Sequence, residues 1–574
     1  MTNPRSAEAQ RKNAGAKKRQ PEQRNTVAKK RPSEQKNAAV KKRPPEQRNT
    51  ATKKRLPEQR NITTQGRTPE QAGVPAKTYT AQKCLWMAVI VAYIGVLCWL
   101  TAGGYLVFEE KVQNNLRFHS VWFLFLFLPV LLLIYHKVSE RMQKKVLLVF
   151  SLLFYAWGQP VYMGLLLLLA AFHYFSGLDL EGKRRMSWKM DNSILLSVGF
   201  DLLLLIFCRY TGLLAETLNR FLPFQISLQL PEAPAGISVF LLLGIGYLIE
   251  VYRGKIKAEQ KFLNVALYLS LFPPLAGGLF VRFQDLKETL SNRKKGAIFF
   301  GDGAMFFIRG MAKAMILAHV LGRVPQEILQ MKPGSFTVLT AWIGCALYAL
   351  KLYYLLSGYS DMAIGVGKLL GLEFKKNFEY PYTAESLTEF SEKWYISLGT
   401  WFRENVFGPM GGEEKGTGRT VLHLAVVWAL LGCWYGPSWK FLAWGLLAGL
   451  LLAAEKYVFS RVLVKIPSFF RHLYVLLLVS LGWILFFSPD LGYALRYLGM
   501  LFGIGASGFA DGQSVYYLVT NWLMILLGVL GCTTAGYRLL QRITYNVRTQ
   551  RVRAGTAGVV YGGLFLLSLA YLVM

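Results

Sequence analysis

The stretch from Ser357 to Gly412 reads SGYSDMAIGVGKLLGLEFKKNFEYPYTAESLTEFSEKWYISLGTWFRENVFGPMGG. Around its second half, residues 373–420 are dense in Glu, Lys, Asn, Ser, Thr and Arg. On either side the chain returns to apolar runs. A helix facing lipid cannot accept that polar density, because a charged group at the centre of a bilayer costs about 3 kcal/mol even on lenient insertion scales. The stretch is therefore expected in a protein-lined cavity or at the interface, and chemistry is to be sought there.

The rest of the chain fixes the solvent. Of 574 residues, 53% are hydrophobic, 14% aromatic and only 17% charged. Too little polar surface is available to cover so much apolar surface in water. A soluble enzyme, a disordered scaffold and a fibrous protein are excluded. Apolar segments follow one another from about Leu126 to about Leu566. Measured against bilayer thickness, they predict an all-α polytopic membrane protein with eleven to thirteen spans. Short segments such as 146–157 are expected to be re-entrant, tilted or interfacial. The positive-inside rule marks Glu181–Arg185, Arg253–Lys257, Lys287–Lys295 and Arg542–Arg553 as cytoplasmic connectors.

Upstream, a twelve-residue unit repeats: KKRQPEQRNTVA from Lys17, KKRPSEQKNAAV from Lys29, KKRPPEQRNTAT from Lys41 and KKRLPEQRNITT from Lys53. Each unit carries a proline and lacks an apolar face, so stacking the units would bury nothing. Residues 1–80 hold 21 Lys or Arg against 6 Glu. They read as a disordered polybasic tail, drawn to anionic lipid headgroups or acting as a cytoplasmic topological anchor. No aromatic residue interleaves the repeats, so nucleic acid is not an expected partner. Residues 81–115 read as an extra transmembrane helix and outer loop, and 116–574 as the membrane domain. The six cysteines form no CxxC pair, which argues against a disulfide framework or a Cys-ligated zinc site.

The polar stretch, together with LLGCWYGPSWKFLAWG from Leu430 to Gly445, resembles the membrane-bound O-acyltransferase family. Its bacterial branch, with the alginate O-acetylation and teichoic-acid D-alanyl transfer proteins, is the nearest likeness. FLFLFLPVLLLIYH from Phe123, SLLFYAWGQPVYM from Ser151, GISVF from Gly236, YLIEVYRG from Tyr247 and FPPLAGGLFVRF from Phe272 are similar to further family blocks in the family's order. The resemblance covers about residues 116–574. It implies a multi-helix fold with a funnel from each face and transfer of an acyl group across the cell membrane. The acceptor it implies is a hydroxyl of a cell-envelope polysaccharide or teichoic acid. The donor it implies is acetyl-CoA or a carrier-protein thioester, with no bound cofactor. Implied partners are membrane lipids, an acyl carrier protein on the cytoplasmic side and an extracytoplasmic acyl-transfer partner.

The family pattern carries histidines in WHG and RRWHIS. An alcohol must lose a proton as it attacks a thioester, and imidazole titrates near neutral pH. Here those positions read Trp434-Tyr435-Gly436 and Glu392-Lys393-Trp394-Tyr395-Ile396-Ser397. Tyr435 and Tyr395 thus occupy the catalytic positions. A phenol with a pKa of about 10 stays protonated at neutral pH. Loss of a general base costs roughly 10²–10⁴-fold in rate. A nearby cation would be needed to lower the phenol's pKa, and Lys393 and Arg403 are the local candidates.

None of the six histidines lies at a motif position; His423, twelve residues before Tyr435, is about 18 Å away along a helix. Substrate-channel candidates are Ser357, Asp361, Trp394, Ser397, Trp401, Arg403 and Trp434. Asp361 in an apolar setting needs a partner, as a channel carboxylate or as an ion pair holding the fold. Three functions follow. The first is an O-acyltransferase with altered chemistry. The second is a catalytically silent paralogue acting as scaffold, acyl-donor binder or regulator. The third is a transporter, against which the absence of internal symmetry argues.

Overall fold

The computed structural model describes residues 116–157, 160–186, 191–226, 236–414, 416–545 and 550–573. The polybasic tail at 1–80 and the extra helix at 81–115 lie outside the described residues. Among the described residues every regular element is a helix. The order is α1 (Phe123–Lys137), α2 (Glu140–Ala156), α3 (Pro160–Arg185), α4 (Asp191–Leu218) and α5 (Ile237–Tyr252). A broken apolar segment follows, α6 (Phe262–Ser270) and α7 (Phe272–Gly277), then the amphipathic α8 (Phe283–Ser291). The long helices α9 (Ala297–Gln330) and α10 (Val338–Leu369) come next. The polar stretch folds as two short helices, α11 (Leu387–Lys393) and α12 (Ile396–Phe402). The chain ends with α13 (Thr417–Tyr435), α14 (Trp439–Leu463), α15 (Ser468–Phe487), α16 (Leu491–Leu501), α17 (Gly512–Gly531), α18 (Thr534–Tyr545) and α19 (Gln550–Val573).

Among the described residues eight helices, α3, α4, α9, α10, α13, α14, α15 and α17, are long and apolar enough to cross a membrane. Four shorter apolar segments, Phe123–Lys137, Ile237–Tyr252, Phe262–Gly277 and Ala557–Leu572, accompany them, so full-length spans among these residues are fewer than the eleven to thirteen expected from the sequence. Leucines and valines such as Leu195 and Leu203 on α4 and Val519 and Leu523 on α17 are exposed, as lipid-facing side chains must be. The protein is an all-α, multi-pass membrane protein.

Two helix pairs are held by small residues. Gly303 and Gly310 of α9 meet Gly358 and Gly365 of α10. A Cβ on Gly310 would stand 2.5 Å from the Gly358 carbonyl oxygen, and one on Gly365 2.5 Å from the Phe307 amide nitrogen. Only glycine lets the two backbones touch. The α13–α14 hairpin closes the same way, with Gly432 against the Phe441 carbonyl and Gly445 against that of Trp428. Asp361 on α10 reinforces the first pair. Its carboxylate is 2.8 Å from Lys313 and 3.5 Å from Arg309, both on α9.

The break between α6 and α7 positions the site. Leu271 leaves the helical region at ψ 112, and Pro273 and Pro274 sit in the first turn of α7, where an absent N–H costs nothing. The Phe272 amide donates to Ser151 Oγ at 3.2 Å. Gly278 then ends α7 at φ +66. The chain turns there into Leu279–Arg282, under α12.

Candidate functional site

The polar stretch is docked by groups far away in sequence. Ser386 caps α11, accepting from the Glu389 amide at 3.0 Å. Glu455, on a widened turn of α14 and only 4% exposed, accepts from the Leu387 and Thr388 amides at 2.6 and 3.0 Å and from Thr388 Oγ1 at 2.9 Å. A carboxylate at the N-terminus of α11 satisfies the orphan donors that any helix start leaves. Asn377 ties the stretch to the broken segment. Its Oδ1 accepts from the Ser397 amide at 3.0 Å and from Ser397 Oγ at 2.8 Å, and its Nδ2 donates to the Gly278 carbonyl at 3.3 Å. Ser397 Oγ in turn accepts from the Phe280 amide at 3.1 Å.

Helix α12 is the wall between two chambers. On one side Ser397, Thr400 and Trp401 line a cavity of about 280 Å³. Charged residues of α5, α8 and the 373–376 loop surround it. On the other side Tyr395, Leu398, Gly399 and Phe402 line a cavity of about 300 Å³. That second chamber is aromatic: Trp394, Trp428, Tyr435, Trp444 and Trp483 wall it, with Glu392, Arg403, Glu413 and Lys456 also among its lining residues.

The two chambers approach one another at Trp434. Its ring meets Phe280 of the first chamber at 5.8 Å and Tyr395 of the second at 5.7 Å, both edge to face. It also packs on Tyr435 at 5.1 Å. Its indole N–H is buried and has no acceptor. Tyr435 is boxed in by Trp444 at 5.5 Å and Phe486 at 4.9 Å. The Trp394 indole N–H points to the Tyr435 hydroxyl at 3.4 Å.

Tyr395 is unusual in its backbone. It sits at φ +50, ψ +55, the left-handed region, immediately before α12. For a residue with a Cβ this costs about 1–2 kcal/mol. The conformation aims the phenol at Gly278, where any Cβ would collide with the hydroxyl. Burial, and to a smaller degree the neighbouring Tyr435 phenol, pushes the Tyr395 hydroxyl above the usual phenol range. The two cations that could counter this are engaged elsewhere. Lys393 lies 2.6 Å from Glu389, and Arg403, 61% exposed, is 3.9 Å from Glu392.

The structure therefore distributes the sequence-derived site residues. Tyr435, Tyr395, Trp394 and Arg403 share the second chamber. Ser397 and Trp401 line the first, where Trp401 Nε1 donates to the Leu242 carbonyl at 3.0 Å. Trp434 stands between the two. Ser357 is buried with its hydroxyl unpaired, and Asp361 is clamped to α9; neither lines a chamber. His423 is close to the α13 start, with Nδ1 3.2 Å from the Gly412 carbonyl. No histidine is among the lining residues of either chamber.

Sequence reasoning missed three groups. Arg209 of α4 donates to the Trp434 and Tyr435 carbonyls at 2.9 and 3.0 Å and to Ser238 Oγ at 2.6 Å. Tyr210 donates to the Cys433 carbonyl. Together they satisfy three successive carbonyls at the end of α13. A lone Arg in an apolar span was a visible signal, since such residues need an intramembrane partner. His173 and Asp201, both fully buried on α3 and α4 and 3.0 Å apart, gave the same signal. Glu455 gave none, because its partners lie 67 and 68 residues earlier.

The fold thus places two cavities on opposite sides of a short helix in a polytopic helical protein. The chain matches the membrane-bound O-acyltransferase family over residues 256–491. It is 33% identical to a probable alginate O-acetylase of Pseudomonas putida over 394 residues, 68% of this chain and 80% of that protein. It is 26% identical to a peptidoglycan O-acetyltransferase of Helicobacter pylori over 68% of this chain and 80% of that one. A teichoic acid D-alanyltransferase of Streptococcus thermophilus is 25% identical over 38% of this chain and 55% of its own length. The chain belongs to the membrane-bound O-acyltransferase family.

Proposed function

We propose that this chain serves envelope acyl transfer as a donor-binding member that does not itself carry out base-assisted transfer to a hydroxyl. Its relatives include enzymes named for acetylating alginate and peptidoglycan and for D-alanylating teichoic acid. The carrying observation is the chemistry of the partition. Where the chambers come together stand Phe280, Trp434, Tyr395 and Tyr435, none of them a base at neutral pH, and no imidazole lines either chamber. Nothing at this partition takes a proton from an attacking alcohol at neutral pH. The donor chamber in this reading is the charged one, beside the basic connectors that the positive-inside rule assigns to the cytoplasm. A carrier-protein thioester or an acyl-CoA supplies the acyl group there. The aromatic chamber receives the partner or acceptor.

The test restores the bases. Tyr435→His and Tyr395→His, singly and together, are assayed for acyl transfer to envelope polymer in inverted vesicles. Histidine tolerates the left-handed backbone at 395 better than tyrosine does. The double variant is expected to gain roughly 10²–10⁴-fold over a wild type at background. A wild type already transferring as fast as the double variant would overturn the proposal.

A further inference from the structure

His173 of α3 and Asp201 of α4 are fully buried and lie outside the lining of both chambers. The ring is held at each nitrogen: Nδ1 is 2.8 Å from the Leu169 carbonyl oxygen and Nε2 is 3.0 Å from Asp201 Oδ2. A carbonyl oxygen only accepts, so Nδ1 carries a hydrogen. The contact between Nε2 and Oδ2 then needs a further proton between them. The pair is imidazolium with carboxylate or imidazole with carboxylic acid, and it is neutral as a whole either way. Turning the ring would break one of the two bonds and leave a buried polar atom unpaired, which is costly. The imidazole is therefore a stiff element.

It bears on α5 where that helix is thinnest. A Cβ on Gly244 would stand 2.0 Å from His173 Nε2. Gly246 lies about 200° further around the helix, on the opposite face. A Cβ there would stand 2.9 Å from Trp401 Nε1. Trp401 also donates to the Leu242 carbonyl at 3.0 Å. The backbone of α5 is thus clamped between the imidazole and Trp401, with no side chain as cushion at either glycine. Gly246 and Trp401 both line the charged chamber. Close-packed interiors transmit displacement, so the position of the ring reaches the chamber wall.

We propose that His173 and Asp201 are positioning residues of the charged chamber: their hydrogen bond holds the imidazole against Gly244, and α5 passes that constraint to Trp401. The pair itself touches no ligand, and its effect on the wall does not depend on what the chamber binds.

The experiment uses the full chain in lipid nanodiscs, labelled with fluorotryptophan. The fluorine NMR signal of Trp401 is assigned by its loss in Trp401→Phe. A second readout is the rate at which N-ethylmaleimide alkylates Thr400→Cys in the charged chamber and Ser391→Cys in the aromatic one, each corrected for the chain without that cysteine. Gly244→Ala wedges α5 towards Trp401. It is expected to shift the Trp401 signal and slow alkylation at Thr400→Cys by roughly threefold or more, with Ser391→Cys unchanged. Adding Asp201→Leu frees the ring to yield and should return the rate towards wild type. Adding Asp201→Asn should not, because its amide still donates to Nε2. An unshifted Trp401 signal in Gly244→Ala overturns the proposal, as does an equal change at Ser391→Cys, which would mean general loosening. So does like behaviour of Asp201→Leu and Asp201→Asn. If Gly244→Ala fails to fold, Asp201→Leu and Asp201→Asn are compared on their own, and the proposal stands only if the leucine variant alone moves the Trp401 signal.

Discussion

Two motif-bearing regions of this protein both carry polar residues into the membrane domain and do different work. SGYSD on α10 is spent on packing: Gly358 lets α9 touch, and Asp361 pairs with Lys313 and Arg309 of α9. The segment from Trp394 to Arg403 surrounds empty space, with Tyr395 held in a left-handed backbone and α12 exposed to a chamber on each side. Polar residues in a membrane domain thus fall into two kinds. Some are consumed by each other; others face a volume that a ligand can enter.

Substitutions separate the two kinds. The largest effect is expected at Asp361→Ala, which leaves two cations uncompensated and should cost about 3–5 kcal/mol. Thermal unfolding in detergent should register it, with ligand affinity of the surviving folded fraction unchanged. Gly310→Val, forced against a backbone carbonyl, should cost about 3 kcal/mol and lower the yield of monodisperse protein. Arg209→Met removes three hydrogen bonds from a charged donor and should cost about 2 kcal/mol. Because those bonds anchor Trp434 and Tyr435, it should also change Trp fluorescence, which Asp361→Ala should not. Tyr395→Asn should be the mildest in stability. Relief of about 1 kcal/mol of backbone strain offsets lost ring packing, while the second chamber widens and admits larger probes. If Asp361→Ala instead altered probe binding and Tyr395→Asn left it unchanged, the distinction between the regions would fail.

Much of this was legible in the chain, and the reasons are physical. Apolar run length gave the membrane class, because bilayer thickness sets helix length. Density of polar and charged residues marked the 373–420 stretch for a protein-lined cavity or the interface, and residues of it line both chambers. Asp361 announced its need for a partner, and Lys313 supplies it. What stayed hidden depends on tertiary approach. Nothing near Leu387 says that Glu455 will cap it. Nothing near Tyr435 says that Arg209 will hold its carbonyl. The left-handed turn at Tyr395 is likewise imposed by the surrounding packing, since a tyrosine has no preference for it.

Helix α12 is only seven residues long, and both chambers use it as a common wall. A ligand that shifts this wall while filling one chamber changes how readily the other is filled. Linkage makes that influence mutual and equal in factor. Two compartments divided by a single short partition are therefore energetically one device, and whatever enters from one side can report its presence to the other without any bond being made or broken.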